Sequence, residues 1–92
     1  MLIQTHLQIW NYKGKNMCTI YSRDNCGYCT KAKSLLETNG LLFEEVEAST
    51  NRDILIERVV RSGHPEPRTV PQIFQGDTYI GGYMELRNSL NK

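Results

Sequence analysis

Two cysteines with two residues between them, Cys26-Gly27-Tyr28-Cys29, carry the most reactive chemistry in this sequence. At the start of a helix this spacing places both sulfurs on one side of the first turn. A disulfide can then close without moving the backbone. Cys26 would sit beside the unsatisfied N–H groups and the positive end of the helix dipole, which both favour thiolate over thiol. For cysteines so placed the pKa drops from ~8.5 to roughly 3.5–7.5. Cys29, one turn further in and more buried, stays a thiol until needed. The asymmetry predicts roles: Cys26 attacks and Cys29 resolves the mixed disulfide. The competing chemistry is half of a zinc site. Zinc needs two more ligands, and the candidates Cys18, His6 and His64 include no second ligand-spaced pair.

A second feature is Thr69-Val70-Pro71. A proline ahead of Gln72-Ile73-Phe74 cannot donate to a strand ladder, so it belongs at a strand's edge or beginning. A cis Val70–Pro71 bond would turn the N–H and C=O of Val70 toward a neighbour, but cis is the minority form before proline.

The elements that must position these groups follow from periodicity. Met17 to Ser22 is a short β-prone run. Asp24 or Asn25 is expected to cap a helix beginning near Cys26, with Tyr28, Ala32, Leu35 and Leu36 at helical spacing. Asn39-Gly40 ends it. Leu41 to Val46 reads as a second strand. Thr50 with Asp53 opens a second helix whose apolar face includes Leu55, Ile56, Val59 and Val60, and Gly63 stops it. His64-Pro65-Glu66-Pro67 is a rigid loop. Gln72 to Gln75 and Thr78 to Ile80 flank a Gly76-Asp77 turn, a strong hairpin signal. Gly81-Gly82 leads into a last helix bearing Tyr83, Leu86 and Leu90. The order is β-α-β-α-β-β-α, an α/β architecture with a four-stranded mixed sheet flanked by three helices. The helix between the first two strands implies a parallel crossover, and the final hairpin is antiparallel.

The chain has 92 residues, room for one small domain. Residues 1–16 read as an N-terminal extension and residues 17–92 as the domain. Ile3, Thr5, Leu7 and Ile9 alternate with Gln4, His6 and Gln8 in strand-like fashion. The first strand is expected inside the sheet, so the extension cannot form a hairpin with it. A net charge of +1, from 11 basic and 10 acidic residues, gives no push toward nucleic acid or membrane. No apolar run approaches the ~18 residues of a transmembrane helix, and Met1 to Asn16 reads poorly as a signal peptide. A soluble, intracellular, monomeric protein is expected. The three cysteines, an odd count with two close together, suit redox chemistry or metal in a reducing compartment better than a structural staple.

Together, Cys26-Gly27-Tyr28-Cys29, Thr69-Val70-Pro71 and Gly81-Gly82 before the last helix resemble a glutaredoxin of the dithiol type, over residues 17–92. Thioredoxins carry Trp before the first cysteine and Gly-Pro between the pair, where this chain has Asn25 and Gly-Tyr. The resemblance implies a thioredoxin-like fold, a cis Pro71 and glutathione as reductant. It implies Cys26 and Cys29 as catalytic residues. It also implies a glutathione site made by Arg23, Tyr28, Thr69, Val70, Pro71, Gly82, Tyr83 and Met84, with no resident metal. Arg23 would pair with a glutathione carboxylate, Tyr28 would flank the glutathione sulfur, and Val70 would pair backbone groups with the tripeptide. The N–H groups of Gly82, Tyr83 and Met84 would hold the γ-glutamyl carboxylate. The implied activity is glutathione-dependent reduction of protein disulfides and glutathione mixed disulfides in the cytoplasm. Ribonucleotide reductase is a family-type protein substrate. The implied alternative is a carrier or sensor of a glutathione-ligated [2Fe–2S] cluster, which some members with Gly in place of Pro after the first cysteine bind.

Three positions depart from the family pattern: Gly27 where Pro is frequent, Met84 where Asp or Thr is frequent, and a longer Gly63–Thr69 loop with two prolines. No contact is assigned to that loop ahead of Thr69. Read without the resemblance, Arg23 is a strand-end charge, Tyr28 and Tyr83 are packing residues, and Cys18 is a small buried hydrophobe. Lys31 and Lys33 are a solvated face that would add positive potential near Cys26.

Overall fold

The computed structural model describes residues 17–91. The extension over 1–16 lies outside the described residues. Strand β1 (Cys18–Ser22) is followed by helix α1 (Gly27–Thr38), strand β2 (Phe43–Glu47), helix α2 (Arg52–Arg61), strands β3 (Gln72–Gln75) and β4 (Thr78–Gly81), and helix α3 (Tyr83–Leu90). The sheet order is β2-β1-β3-β4. β1 runs parallel to β2 and antiparallel to β3, and β3 is antiparallel to β4. The expected order and mixed sheet are therefore present, with β1 central.

Alternation along the strands builds two cores, one on each face. Cys18, Ile20 and Ile73 point to the face covered by α1 and α3, where they pack with Ala32, Leu36 and Leu86. Tyr21 and Phe74 point to the opposite face and pack with Ala48, Leu55 and Val59. Each fully buried side chain such as Leu36 or Ile73 is worth about 1.5–3 kcal/mol over its exposed state. Because both faces and both edges of β1 are covered, it is buried nearly throughout. Even Ser22, 2% exposed, is satisfied there by donating to Glu45 Oε2 at 2.6 Å.

Several local expectations shift. The second strand starts at Phe43 and not Leu41. Leu41 packs against the core instead, and the Leu42 carbonyl accepts from Cys18 N–H at 3.0 Å as the chain enters the sheet. The α2 stripe is Leu55, Arg58 and Val59, and Val60 is 51% exposed. At 100° per residue, Val60 is turned away from the stripe that Leu55 defines. Arg58 takes the place of an apolar residue there. Its guanidinium lies 3.9 Å from the Phe74 ring centroid and donates to Tyr21 Oη at 3.1 Å and the Gly76 carbonyl at 3.2 Å. The N-cap of α2 is Asn51, not Thr50. The β3–β4 turn is as expected, and Gly76 supplies its positive φ of 58°. β4 extends one residue beyond Ile80, to Gly81.

Candidate active site

β1 delivers the chain to the site at its C-terminal end. Asn25 adopts a positive φ of 59°, and Cys26, extended at φ −112° and ψ 109°, is the N-cap of α1. This corrects the expectation that Asp24 or Asn25 caps the helix. The sulfur of Cys26 does so, accepting from Cys29 N–H at 3.2 Å. The reactive atom thus takes the place of the usual hydroxyl or carboxylate oxygen, in contact with an N–H the helix cannot otherwise satisfy. Reduction would release a thiolate already facing that donor.

Cys26 and Cys29 are joined by a disulfide, with Cα atoms 5.2 Å apart. Cys29 is 1% exposed while Cys26 is partly exposed. An incoming thiol can therefore reach the first sulfur and not the second. Opposite them, the Val70–Pro71 bond is cis, and the Val70 carbonyl oxygen lies 3.8 Å from Cys26 Sγ. The backbone of Val70 is thus brought to the dithiol across 44 residues of sequence.

The residues that the resemblance implied for a ligand come together in two clefts. Tyr28, Thr69, Val70, Pro71, Gly82, Tyr83 and Met84 line one groove of about 290 Å³, with Glu85. Tyr28 is 57% exposed, so it is not a core residue, and its ring lies 5.7 Å from that of Tyr83. Arg23 lies apart from this groove. It lines a cleft of about 230 Å³ on the other side of the Thr69-Val70 segment, with Arg52 and Arg68. These two arginines were not expected from the sequence. Arg68 directly precedes Thr69, which was a usable signal. Arg52 comes to the cleft from the first turn of α2, which only the fold shows. Arg52 also contacts Glu66 at 3.3 Å.

Two electrostatic expectations change. Lys33 does not add uncompensated charge near Cys26, because its Nζ lies 2.9 Å from Glu45 Oε2. The Ser22 hydroxyl, followed by Lys33, holds the Glu45 carboxyl below its usual pKa. At the start of α3, Gly82 N–H is already taken by Glu85 Oε1 at 2.9 Å. A carboxylate arriving there would meet the N–H groups of Tyr83 and Met84, which precede the first intrahelical donor, the Leu86 N–H bonded to the Gly82 carbonyl, or would displace Glu85. Cys18 is buried in the α1/α3 core, where desolvation raises its thiol pKa. Among the described residues, no three His, Cys, Asp or Glu side chains gather as a metal-binding group, and no helix is long and apolar enough to cross a membrane.

A cysteine pair at a helix start, set against a cis-proline loop on a central mixed sheet, defines a dithiol protein of thioredoxin-like fold. The glutaredoxin family model matches residues 18–80. Glutaredoxin 3 of Escherichia coli strain K12 is 40% identical over 67 residues, covering 73% of this chain and 77% of that protein. Glutaredoxin 1 of Rickettsia prowazekii is 36% identical over 69 residues, covering 75% and 72%. Among solved structures, glutaredoxin 1 of Francisella tularensis in complex with cacodylate aligns with a TM-score of 0.64 and 36% identity, covering 83% of this chain and 98% of that one. A buckwheat glutaredoxin–glutathione complex aligns with a TM-score of 0.67 and 26% identity, covering 97% and 78%. The chain belongs to the glutaredoxin family. Its dithiol makes it a thiol–disulfide oxidoreductase, and glutathione is the reductant of that family.

Proposed function

We propose that this protein is a glutathione-dependent oxidoreductase that reduces protein disulfides and glutathione mixed disulfides. The observation that supports this most is the Cys26–Cys29 disulfide, its outer sulfur 3.8 Å from the Val70 carbonyl, beside the groove lined by Tyr28, Val70 and Tyr83. In the reduced protein the Cys26 thiolate attacks one sulfur of a substrate disulfide. A mixed disulfide forms and the second substrate sulfur leaves as thiolate, taking a proton. Cys29 then loses its proton and attacks Cys26, releasing the other substrate thiol and closing the Cys26–Cys29 bond. One glutathione thiolate opens that bond at the accessible Cys26, and a second attacks the resulting mixed disulfide. The products are glutathione disulfide and the dithiol. With glutathionylated substrates, Cys26 takes the glutathionyl group directly and Cys29 is not needed.

Val70 would pair its backbone with the tripeptide as a short added strand, and Tyr28 would flank the bound sulfur. Arg23, joined by Arg52 and Arg68, would meet a terminal carboxylate. The buckwheat relative was solved as a complex with glutathione, which supports glutathione as the ligand class. The reading suits a cytoplasmic monomer, where glutathione is abundant and thiols stay reduced.

The test is a glutathione-coupled assay on Cys26→Ser and Cys29→Ser. Cys26→Ser is expected to lose all activity. Cys29→Ser is expected to lose protein-disulfide reduction and keep deglutathionylation. Equal loss of both activities in a folded Cys29→Ser protein would overturn the division of roles.

A further inference from the structure

The side chain of Gln72 joins two elements that neither the catalytic steps nor the ligand groove account for. It is 5% exposed although it is an uncharged polar residue in the first position of β3. Its Nε2 donates to the Thr69 carbonyl at 3.0 Å and approaches Thr69 Oγ1 at 3.3 Å. Its Oε1 accepts from the Tyr79 hydroxyl on β4. The direction of every bond follows from chemistry alone. A carbonyl oxygen can only accept, so the amide nitrogen must face Thr69. The amide oxygen therefore faces Tyr79, whose O–H must donate. Because Gln72 also approaches Thr69 Oγ1 as a donor, the Thr69 hydroxyl hydrogen is left to point elsewhere. Thr69 lines both clefts.

Tyr79 is itself held in place. Its ring lies 5.1 Å from Phe74 and 4.8 Å from His64. β4 thus braces Gln72 from behind, and Gln72 braces the Thr69-Val70 segment that faces Cys26. Thr69 sits at the end of the long loop from α2, and the Gln72 amide ties its carbonyl and hydroxyl oxygens to the sheet.

We propose that Gln72 is a positioning residue, oriented by Tyr79, that holds the Thr69-Val70 backbone in register to receive the backbone of a peptide thiol. This rests on the glutathione reading above and names the device that sets the recognition edge. Gln72 does not touch the reacting sulfurs, so reductants that need no backbone pairing are indifferent to it.

The test compares glutathione with dithiothreitol as reductants of the same disulfide, in wild type, Gln72→Glu and Tyr79→Phe. Gln72→Glu keeps the shape and the acceptor toward Tyr79 but turns a second acceptor on the Thr69 carbonyl. The KM for glutathione is expected to rise about tenfold above neutral pH, with kcat and the dithiothreitol rate within about twofold of wild type. The KM ratio to wild type is expected to shrink as pH falls, because a protonated carboxyl can again donate to Thr69. His64 and Glu85, the titratable groups facing Tyr79, are present in both proteins, so the ratio isolates the substitution. Tyr79→Phe is expected to raise the KM by about two- to fivefold through a loosened amide, and it decides the matter if Gln72→Glu does not fold. An unchanged glutathione KM in the folded variants overturns the positioning role alone. So does an equal loss with both reductants. A wild type that responds to dithiothreitol and not to glutathione overturns the glutathione reading, and this proposal with it.

Discussion

Replacing Gly81 with alanine is expected to destabilise the protein by about 2–4 kcal/mol. Gly81 closes β4 at φ +123°, a conformation that costs a residue bearing a Cβ on the order of 1–3 kcal/mol. The added Cβ would also stand 2.9 Å from Glu85 Cγ and 3.0 Å from Glu85 Cβ. The second atom is fixed to the α3 backbone, so rotation of the glutamate relieves only part of the overlap and the helix start must move as well. Either motion takes Oε1 off Gly82 N–H, a 2.9 Å capping bond of a kind worth about 0.5–2 kcal/mol. For a domain of this size, each kcal/mol moves the thermal midpoint by about 4–8 °C, so a fall of roughly 10–25 °C is expected. Thermal unfolding of the oxidised protein, followed by far-ultraviolet circular dichroism, measures it. Gly82→Ala is the control. Gly82 has an ordinary φ of −93°, and its added Cβ meets only Glu85 Oε1 at 3.3 Å and the Pro71 carbonyl at 3.5 Å. It should cost under about 1 kcal/mol. A Gly81→Ala protein melting within about 3 °C of the parent would refute the reasoning.

Arg23→Glu is expected to raise the KM for glutathione by about three- to tenfold at low salt and less at high salt. A salt-independent, unchanged KM would reduce Arg23 to a surface charge. Glu45 has a folded pKa below its ordinary value. Its stabilisation is therefore complete above the unfolded pKa of ~4.3 and is lost as pH falls through the lower folded value. Urea midpoints measured from pH 6 to pH 3 should fall more steeply for the parent than for Glu45→Gln, and parallel curves would count against it. A chain beginning at Met17 is expected to fold and keep glutathione-dependent activity; inactivity in a well-folded product would show that residues 1–16 help build the site.

Local pattern carried most of the architecture. β1, α1 and the β3–β4 hairpin were legible because period, turn residues and β-branching agree in those segments. The dithiol was legible because its two residues are close in sequence. The cap of α1 was not, since cysteine is no ordinary capping residue, and only the placement of Cys29 N–H against Sγ shows it. The charge pattern also needed the fold. Lys33 meets Glu45 through the α1–β2 crossover, and Arg23, Arg52 and Arg68 converge from a strand end, a helix start and a loop. Arg58 reads as an interruption of an apolar stripe until its stacking on Phe74 is seen. Apart from the α1 cap, these misses are contacts between residues distant in sequence, which periodicity does not encode.

Among the described residues, β2 is an outer strand of the sheet, and its sequence is Phe43-Glu44-Glu45-Val46-Glu47. An outer strand offers unpaired N–H and C=O groups to any passing chain, the usual starting point for self-association. Two copies aligned along this edge would set the acidic strand of one against that of the other, with, among the described residues, Glu45 alone of the three glutamates partly neutralised by a lysine. Like charges placed across a ladder repel. Acidic side chains thus guard this edge of the described sheet, and a Glu44→Val, Glu47→Val variant would trade solubility for stickiness.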